Sequence, residues 1–336
     1  MGDLFTKQNG EYKPVNQSYY KHDGIWKEAT PWKKIDGIWI QFPFFMSFIY
    51  TVSDDRTVKK LDNQLSEEWV FDDLILPRDL NAIKVSPEKD VFFVDDSAMM
   101  YRLDMNGDLV WSIEEQNISR RYVAISRNLY SATHRGAGDI RIFTPNGEYF
   151  SYVSLGEQIT KFDFDGNDNV YIGTNSNNLH KYDIDLSEIW VFTANTNNVT
   201  AVATEPGGVS YSGASNGRIY KIDVDGNQLF LNNDDTLPCN DLVLDQNGFL
   251  YAVSFFNLVK KIDTSDMSEV WRYSSENSLS SIAVDRSGDV YVGDLEGNLI
   301  KLDVNGNEVY KQQIHTGELE GIDVSPGRYG AFSDFW

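Results

Sequence analysis

The sequence predicts an all-β fold: a seven-bladed β-propeller of four-stranded blades, preceded by a short N-terminal β-hairpin arm. Three observations support this prediction. A unit of about 40 residues recurs seven times, each unit contains four short runs of alternating apolar and polar residues, and turn-forming residues separate the runs. A lone unit cannot bury both faces of its sheet, whereas units stacked around an axis bury them against each other. We therefore divide the chain into an arm, residues 1–45, and a propeller, residues 46–336.

Two residue positions define the period of the repeat. The third run of each unit ends at an aspartate in six copies and at a threonine in one: Asp62, Asp104, Thr144, Asp183, Asp223, Asp263 and Asp303. The fourth run opens near an aromatic residue in every copy: Trp69, Trp111, Phe150, Trp190, Phe230, Trp271 and Tyr310. We interpret these aromatics as packing residues between blades.

The turns between the third and fourth runs carry a short motif. It stands at Asp104–Asp108, Asp223–Asn227 and Asp303–Asn307, with glycine at the fourth position each time. Glycine adopts positive φ without steric cost, and Asp or Asn side chains bond to the backbone two residues on. The motif therefore predicts tight hairpin turns.

The first copy begins at its second strand, Phe48–Ser53, with no preceding first strand of the repeat. The C-terminal region supplies an unmatched first strand, Gly321–Ser325. We expect this strand to complete the first blade and close the ring, which removes an open sheet edge. The alternative partner is Phe42–Phe45, where Pro43 lacks the N–H that a ladder requires.

Composition excludes several classes of function. The formal net charge is −22 and the pI is about 4.5, so the chain repels phosphate backbones and we expect no nucleic-acid partner. The single cysteine, Cys239, permits neither an internal disulfide nor a cysteine-based metal cluster. No apolar run is long enough for a membrane span, and the first residues lack the pattern of a secretory signal.

The segments Val290–Asp303 and Val170–Asp183 resemble the β-propeller repeat of pyrroloquinoline-quinone enzymes. The resemblance covers residues 48–325 and implies the propeller fold. Those enzymes have eight blades and a cofactor cavity with calcium and vicinal cysteines, whereas this chain has seven copies and one cysteine. We therefore expect no catalytic residue, no cofactor and no metal site.

The arm contains a second, shorter repeat. Tyr19–Lys27 and Trp32–Ile40 share the pattern Lys-x-Asp-Gly-Ile-Trp at a spacing of 13 residues, which predicts two small hairpins. The segments resemble the N-terminal modules of tailed-bacteriophage virion proteins. Hairpins of this size cannot bury large aromatics internally. We therefore predict that the arm binds a partner through the residues Tyr19, Tyr20, Trp26, Trp32 and Trp39.

The resemblance of the arm implies a non-enzymatic structural or attachment protein of a tailed-phage virion. The arm would dock on other virion structural proteins, and propeller loops would bind a host-surface receptor or decorate the particle. We expect synthesis in the host cytoplasm, localisation in the virion and no membrane insertion. The alternatives are an intracellular protein-interaction scaffold and an enzyme that uses the central channel.

Three further patterns bear on other chemistry. Asp163–Asp168 has the carboxylate density of a calcium loop but the wrong spacing, so we interpret it as a turn and keep calcium as the alternative. The four histidines, His22, His134, His180 and His315, have no metal-ligand spacing, and we interpret them as ordinary polar positions. The segment His134–Gly138 is glycine-rich but precedes no helix, which argues against a phosphate site.

Overall fold

The computed structural model describes residues 5–325 apart from 9–10, 15–18, 23–24, 29–31, 36–37, 42–46, 73–78, 87, 97–98, 115–121, 136–137 and 234–236. Only the backbone is described for the strands within residues 5–41 and for residue 135. The chain forms two compact units, Met1–Met46 and Ser47–Trp336.

The second unit is a seven-bladed propeller of four-stranded antiparallel sheets, as the repeat predicts. The first blade combines β7 (Phe48–Ser53), β8 (Val58–Leu61) and β9 (Glu67–Phe71) with the C-terminal strand β34 (Leu319–Ser325). The second blade contains β10 (Leu80–Val85), β11 (Val91–Asp95), β12 (Met99–Leu103) and β13 (Leu109–Glu114). The third contains β14 (Val123–Ile125), β15 (Ser131–Arg135), β16 (Asp139–Phe143) and β17 (Tyr149–Ser154).

The remaining four blades follow in chain order. The fourth contains β18 (Ile159–Phe164), β19 (Val170–Thr174), β20 (Leu179–Tyr182) and β21 (Glu188–Phe192). The fifth contains β22 (Val199–Thr204), β23 (Ser210–Ala214), β24 (Ile219–Ile222) and β25 (Gln228–Asn232). The sixth contains β26 (Asp241–Leu244), β27 (Phe249–Ser254), β28 (Leu258–Asp263) and β29 (Glu269–Ser274). The seventh contains β30 (Leu279–Val284), β31 (Val290–Asp294), β32 (Asn298–Leu302) and β33 (Glu308–Gln313).

Burial increases from the outer strand of each blade towards the second strand. Every residue of β11, β19, β23 and β31 is buried, because these strands pack against neighbouring blades on both faces. The outer strands β13 and β17 alternate between exposed and half-buried residues. The propeller core therefore lies between the blades.

The C-terminal strand closes the ring. β34 pairs antiparallel with β7, and Ile322 lies opposite Thr51. This pairing is the one that the sequence predicts, and the strand starts two residues earlier than expected, at Leu319. The alternative segment, Phe42–Phe45, lies outside the described residues.

Adjacent blades are joined by a repeated contact at the outer strand. The indole Nε1 of Trp190 donates to the carbonyl of Val224, in the turn of the next blade, at 2.9 Å, and Lys181 Nζ donates to the same oxygen at 3.4 Å. Gly226 of that turn has φ +88°, and a Cβ there would lie 2.9 Å from the Trp190 ring. The Asp-x-Asn/Asp-Gly turns are therefore also sockets for the tryptophan of the preceding blade.

Tryptophan and glycine occur together at four of the seven blade junctions. The pairs are Trp69 with Gly107, Trp111 with Gly147, Trp190 with Gly226, and Trp271 with Gly306. At the junction of the last and first blades the smaller Tyr310 packs in one hydrophobic cluster with Leu65, which has positive φ at the glycine position. The third blade departs from the predicted pattern, because its register places Ser151 and not Phe150 at the tryptophan position, and Ser151 Oγ donates to the Ile184 carbonyl at 3.1 Å. The prediction that the recurrent aromatics pack between blades is confirmed for these tryptophans.

The described residues of the first unit form three hairpins: the two that the sequence predicts and an earlier one that the sequence analysis missed. They are β1 (Phe5–Gln8) with β2 (Glu11–Pro14), β3 (Tyr19–His22) with β4 (Ile25–Glu28), and β5 (Trp32–Ile35) with β6 (Ile38–Gln41). The same register places a lysine opposite an aromatic in each: Lys7 opposite Tyr12, Lys21 opposite Trp26, and Lys34 opposite Trp39. The first copy does not match the sequence pattern of the other two, because Asn9 stands where they have Asp and Tyr12 stands where they have Trp.

No helix among the described residues is long and apolar enough to cross a membrane.

Candidate functional site in the central channel

The first strands of all seven blades surround a cavity of about 270 Å³ on the axis of the ring. Propeller topology brings these strands together, since each blade begins at the centre and ends at the rim. Among the described residues, the charged side chains that line the cavity are two lysines and four carboxylates: Lys84, Lys161, Asp163, Asp241, Glu320 and Asp323. The described part of the cavity wall is therefore strongly polar and contains more carboxylates than lysines.

One ion pair joins two blades that are not neighbours. Lys161 Nζ, from β18, lies 3.3 Å from Asp241 Oδ1, from β26, and 4.6 Å from the ring centroid of Tyr122. Desolvation lowers the pKa of Lys161, but Asp241 and Tyr122 more than offset it, and the pKa is raised overall. Lys161 is therefore charged, and its charge is matched by Asp241.

A second group of charges lies at another level of the channel. Three charged residues occupy equivalent positions in the first strands of their blades. Each is paired with a residue of the second strand: Asp323 with Tyr50, Lys84 with Phe92, and Asp163 with Tyr171.

Each carboxylate of this group is held by the next blade. Asp323 Oδ2 accepts from the Val85 N–H at 2.8 Å, and Asp163 Oδ2 accepts from the Thr204 N–H at 3.0 Å. Burial raises the pKa of Asp323, the Lys84 ammonium acts against that rise, and the charge of Asp163 adds to it. The charge of Asp323 is thus coupled to those of Lys84 and Asp163.

A second arrangement has the geometry of a nucleophile, base and acid. Thr51 Oγ1 lies 2.8 Å from His315 Nε2, and His315 Nδ1 lies 3.0 Å from Asp55 Oδ2. Thr51 and the His315 side chain are fully buried, so a substrate has no access to either. The arrangement instead ties the loop before β34 to the first blade, across 264 residues of sequence.

Three carboxylates lie close together beside this network. The oxygens of Asp54, Glu318 and Glu320 lie within 4.8 Å of one another. Desolvation, followed by the charges of Asp79 and Glu318, raises the pKa of Asp54 to about 6. The paired strands β34 and β7 of the first blade therefore carry concentrated negative charge at one end.

The Asp163–Asp168 segment contains the predicted turn, which follows the end of β18 at Phe164. Asp165 Oδ1 accepts from the backbone N–H groups of Asn167 and Asn169, at 2.9 and 3.0 Å. Asp163 lies in β18 and takes part in the channel instead.

The predicted histidine positions are separated by the fold. His134 lies in β15 beside the rings of Tyr122 and Phe162, and His180 in β20 lies 3.4 Å from carboxylate oxygens of Glu157 and Glu188. The sequence interpretation missed the role of His315, because its partner Thr51 is distant in the chain and only ring closure brings the two together.

The predicted partner-binding residues lie in the second and third hairpins. Tyr19 and Tyr20 lie in β3, Trp26 in β4, Trp32 in β5 and Trp39 in β6. Their side chains lie outside what the structure describes, so their role stays a prediction.

Comparison with known proteins identifies the fold alone. No protein-family model matches the chain, and no curated protein matches it. Among solved structures, a chain from the crystal structure of a mitotic checkpoint complex is similar, with a TM-score of 0.67 and 13% identity over 74% of this chain and 81% of that one. The chain is thus a seven-bladed β-propeller.

Proposed function

We propose that this chain is a non-enzymatic attachment protein of a tailed-phage virion. The arm docks on virion structural proteins, and the propeller presents its loops for host-surface binding or particle decoration. The observation that carries the proposal is that the arm and the propeller have no β-sheet in common among the described residues. All seven blades are built from strands between Phe48 and Ser325, and the arm strands form separate two-stranded sheets with a repeated Lys–aromatic register.

Two physical arguments support the arm as the attachment element. Small hairpins are marginally stable in water without a surface to cover their aromatics. Tryptophan and tyrosine are also enriched among the residues that dominate binding energy at interfaces. The charge distribution agrees, because residues 1–45 carry six lysines against five acids while the whole chain carries −22.

An intracellular interaction scaffold is the second candidate. Two outer strands, β17 and β25, contain no charged residue, and they expose Tyr149, Tyr152 and Leu229 by 53, 59 and 46%. An exposed, uncharged edge strand is a site at which another protein can add a strand or dock.

Particle composition distinguishes the two candidates. Virions purified from producing cells by density gradient should contain the chain at constant stoichiometry, measured by quantitative mass spectrometry. Trp26→Ala combined with Trp39→Ala should lower incorporation at least tenfold, whereas Thr6→Ala, outside the repeated Lys–aromatic positions, should not. Exclusive recovery of the wild-type chain in the particle-free fraction would contradict the virion proposal and favour the scaffold.

A further inference from the structure

The three hairpins of the arm have the same length and the same register, so their residues can be compared position by position. Each hairpin has two four-residue strands, separated by two residues of sequence. Successive residues of a strand lie on opposite faces of the sheet, and directly paired residues lie on the same face. Every hairpin therefore has two faces of four residues each.

One of these faces keeps its composition in all three hairpins, and we call it the aromatic–lysine face. It has an aromatic at the first position of the first strand, a lysine at the third position, and a second aromatic paired with that lysine. The three sets are Phe5, Lys7 and Tyr12; Tyr19, Lys21 and Trp26; and Trp32, Lys34 and Trp39. The fourth position varies between Pro14, Glu28 and Gln41.

The opposite face is not constant. Its residues are Thr6, Gln8, Glu11 and Lys13 in the first hairpin, Tyr20, His22, Ile25 and Lys27 in the second, and Lys33, Ile35, Ile38 and Ile40 in the third. None of these four positions keeps one class of residue in all three copies. Substitutions that accumulate between copies affect both faces alike, so the constant face indicates a contact that all three hairpins make.

Stability of the hairpins does not explain the constant face. A single cross-strand pair is a weak interaction, and an isolated two-stranded hairpin is marginal in water even with such a pair. Aromatics that recur on one face of so small a sheet are therefore suited to contact with another surface.

The chemistry of the constant face restricts the partner. A lysine ammonium is a compact positive charge that pairs with a carboxylate. Large aromatics bind at the apolar centre of protein interfaces. Each hairpin therefore suits a site on a protein at which an acidic side chain stands beside apolar groups.

The connections between hairpins limit how far apart these sites can lie. Four residues separate Pro14 from Tyr19, and three separate Glu28 from Trp32. An extended chain spans at most about 3.6 Å per residue, so strand ends joined in this way lie at most about 18 Å apart. The partner must therefore present closely spaced equivalent sites, as a symmetric protein assembly does.

We propose that the three hairpins are three copies of one docking module, and that each binds an equivalent acidic and apolar site on a symmetric virion protein through its aromatic–lysine face. The inference rests on the proposed virion function and deepens it. It adds Phe5, Lys7 and Tyr12 to the contact, and it leaves out Tyr20, which lies on the opposite face. Linked modules bind more tightly than any one of them, because the second and third contacts form within one complex.

The lysines of the arm provide a charge-matched test, because each hairpin has one lysine on the aromatic–lysine face and one on the opposite face. The test variant combines Lys7→Gln, Lys21→Gln and Lys34→Gln. The control variant combines Lys13→Gln, Lys27→Gln and Lys33→Gln, and it removes the same charge from the same three hairpins. Each full-length variant is produced together with the wild-type chain in infected cells. Mass spectrometry then gives the ratio of variant to wild type in purified virions, relative to the ratio in the cells.

We expect the test variant to be depleted from virions at least twentyfold and the control variant less than twofold. Lys7→Gln, Lys21→Gln and Lys34→Gln alone should each be depleted about threefold, because two intact modules remain. A difference between the two triple variants cannot arise from net charge, which changes by the same amount in both.

Equal depletion of both triple variants, or depletion of neither, would overturn the assignment of the face. Loss confined to one of the single variants would overturn the three-module arrangement, because a single hairpin would then carry the contact. In these cases the wild-type chain is still present in virions, and the proposed function stands. Absence of the wild-type chain from virions would overturn the proposed function and this inference with it.

Discussion

Two adjacent aspartates in the first blade have opposite pKa shifts, which shows how strongly local contacts control charge. Asp54 lies beside Glu318 and Asp79, and desolvation together with these charges raises its pKa to about 6. Asp55 also suffers desolvation, but hydrogen bonds from His315 and Thr57 more than offset it and hold its pKa below the usual range. One carboxylate therefore opposes folding at neutral pH, and the other supports it.

Asp54→Asn should stabilise the protein in a pH-dependent way. The pKa of Asp54 is higher in the folded state than the ordinary value of 3.8, so its ionised form destabilises the fold at neutral pH, and this cost falls as the pH drops through 6. We expect a Tm increase of about 1–3 °C at pH 7.5 that largely disappears at pH 4.5. Scanning calorimetry measures it, with Asp225→Asn as control. Equal Tm values at pH 7.5 for the variant and the wild type would contradict the assignment.

Three glycine substitutions separate backbone strain from side-chain overlap. Gly207 has open space around it, Gly156 has open space with φ +71°, and Gly226 has φ +88° with the Trp190 ring 2.9 Å from an added Cβ. Replacement by Ala should be nearly neutral at Gly207, cost about 1 kcal/mol at Gly156 and cost about 2–4 kcal/mol at Gly226. Urea unfolding measures the differences. Equal losses at Gly156 and Gly226 would show that the indole does not occupy the socket.

At the scale of the element, the blade junction is a matched pair of an outer aromatic and a turn residue. A large Trp meets Gly at four junctions, and the smaller Tyr310 meets Leu65 where the last blade joins the first, so a larger turn residue accompanies a smaller aromatic there. Close packing makes both overfilling and cavities unfavourable, which explains why the two positions change together.

A double-mutant cycle tests this matching. Gly226→Leu alone should destabilise strongly, and adding Trp190→Phe should recover about 1–2 kcal/mol relative to the sum of the single effects. The control combines Trp190→Phe with Gly306→Leu, which belongs to the Trp271 junction, and there the effects should add. Additivity in both pairs, measured by urea unfolding, would refute the matching.

The closing strand is a second feature at this scale. A chain that ends at Glu318 lacks β34, so β7 loses its ladder partner and the first blade is left with an open edge. We expect a loss of cooperative unfolding or a Tm decrease of more than about 10 °C, since several buried residues are exposed. A chain that ends at Ser325 keeps the strand and should melt like the full chain. Equal melting of the two truncated chains would contradict closure by β34.

At the scale of the whole molecule, the propeller contains every strand that its sheets require. A chain that starts at Ser47 should therefore fold as a cooperative all-β unit, with circular dichroism and Tm close to those of the full chain. The same shortened chain should fail to join purified particles in the incorporation assay. Normal incorporation without the arm would move the attachment surface to the propeller.

Repetition in the sequence determined the propeller, the number of blades and the closing strand, because each blade obeys the same local rules of alternation and turn chemistry. The positions of the aromatics likewise indicated blade packing. The sequence did not show that Trp190 inserts over Gly226, that Thr51 meets His315, or that Asp163 and Asp323 share one channel. These contacts join residues from different blades. Only closure of the ring fixes which side chains face each other across a junction or across the axis, because local propensity carries no information about distance in space.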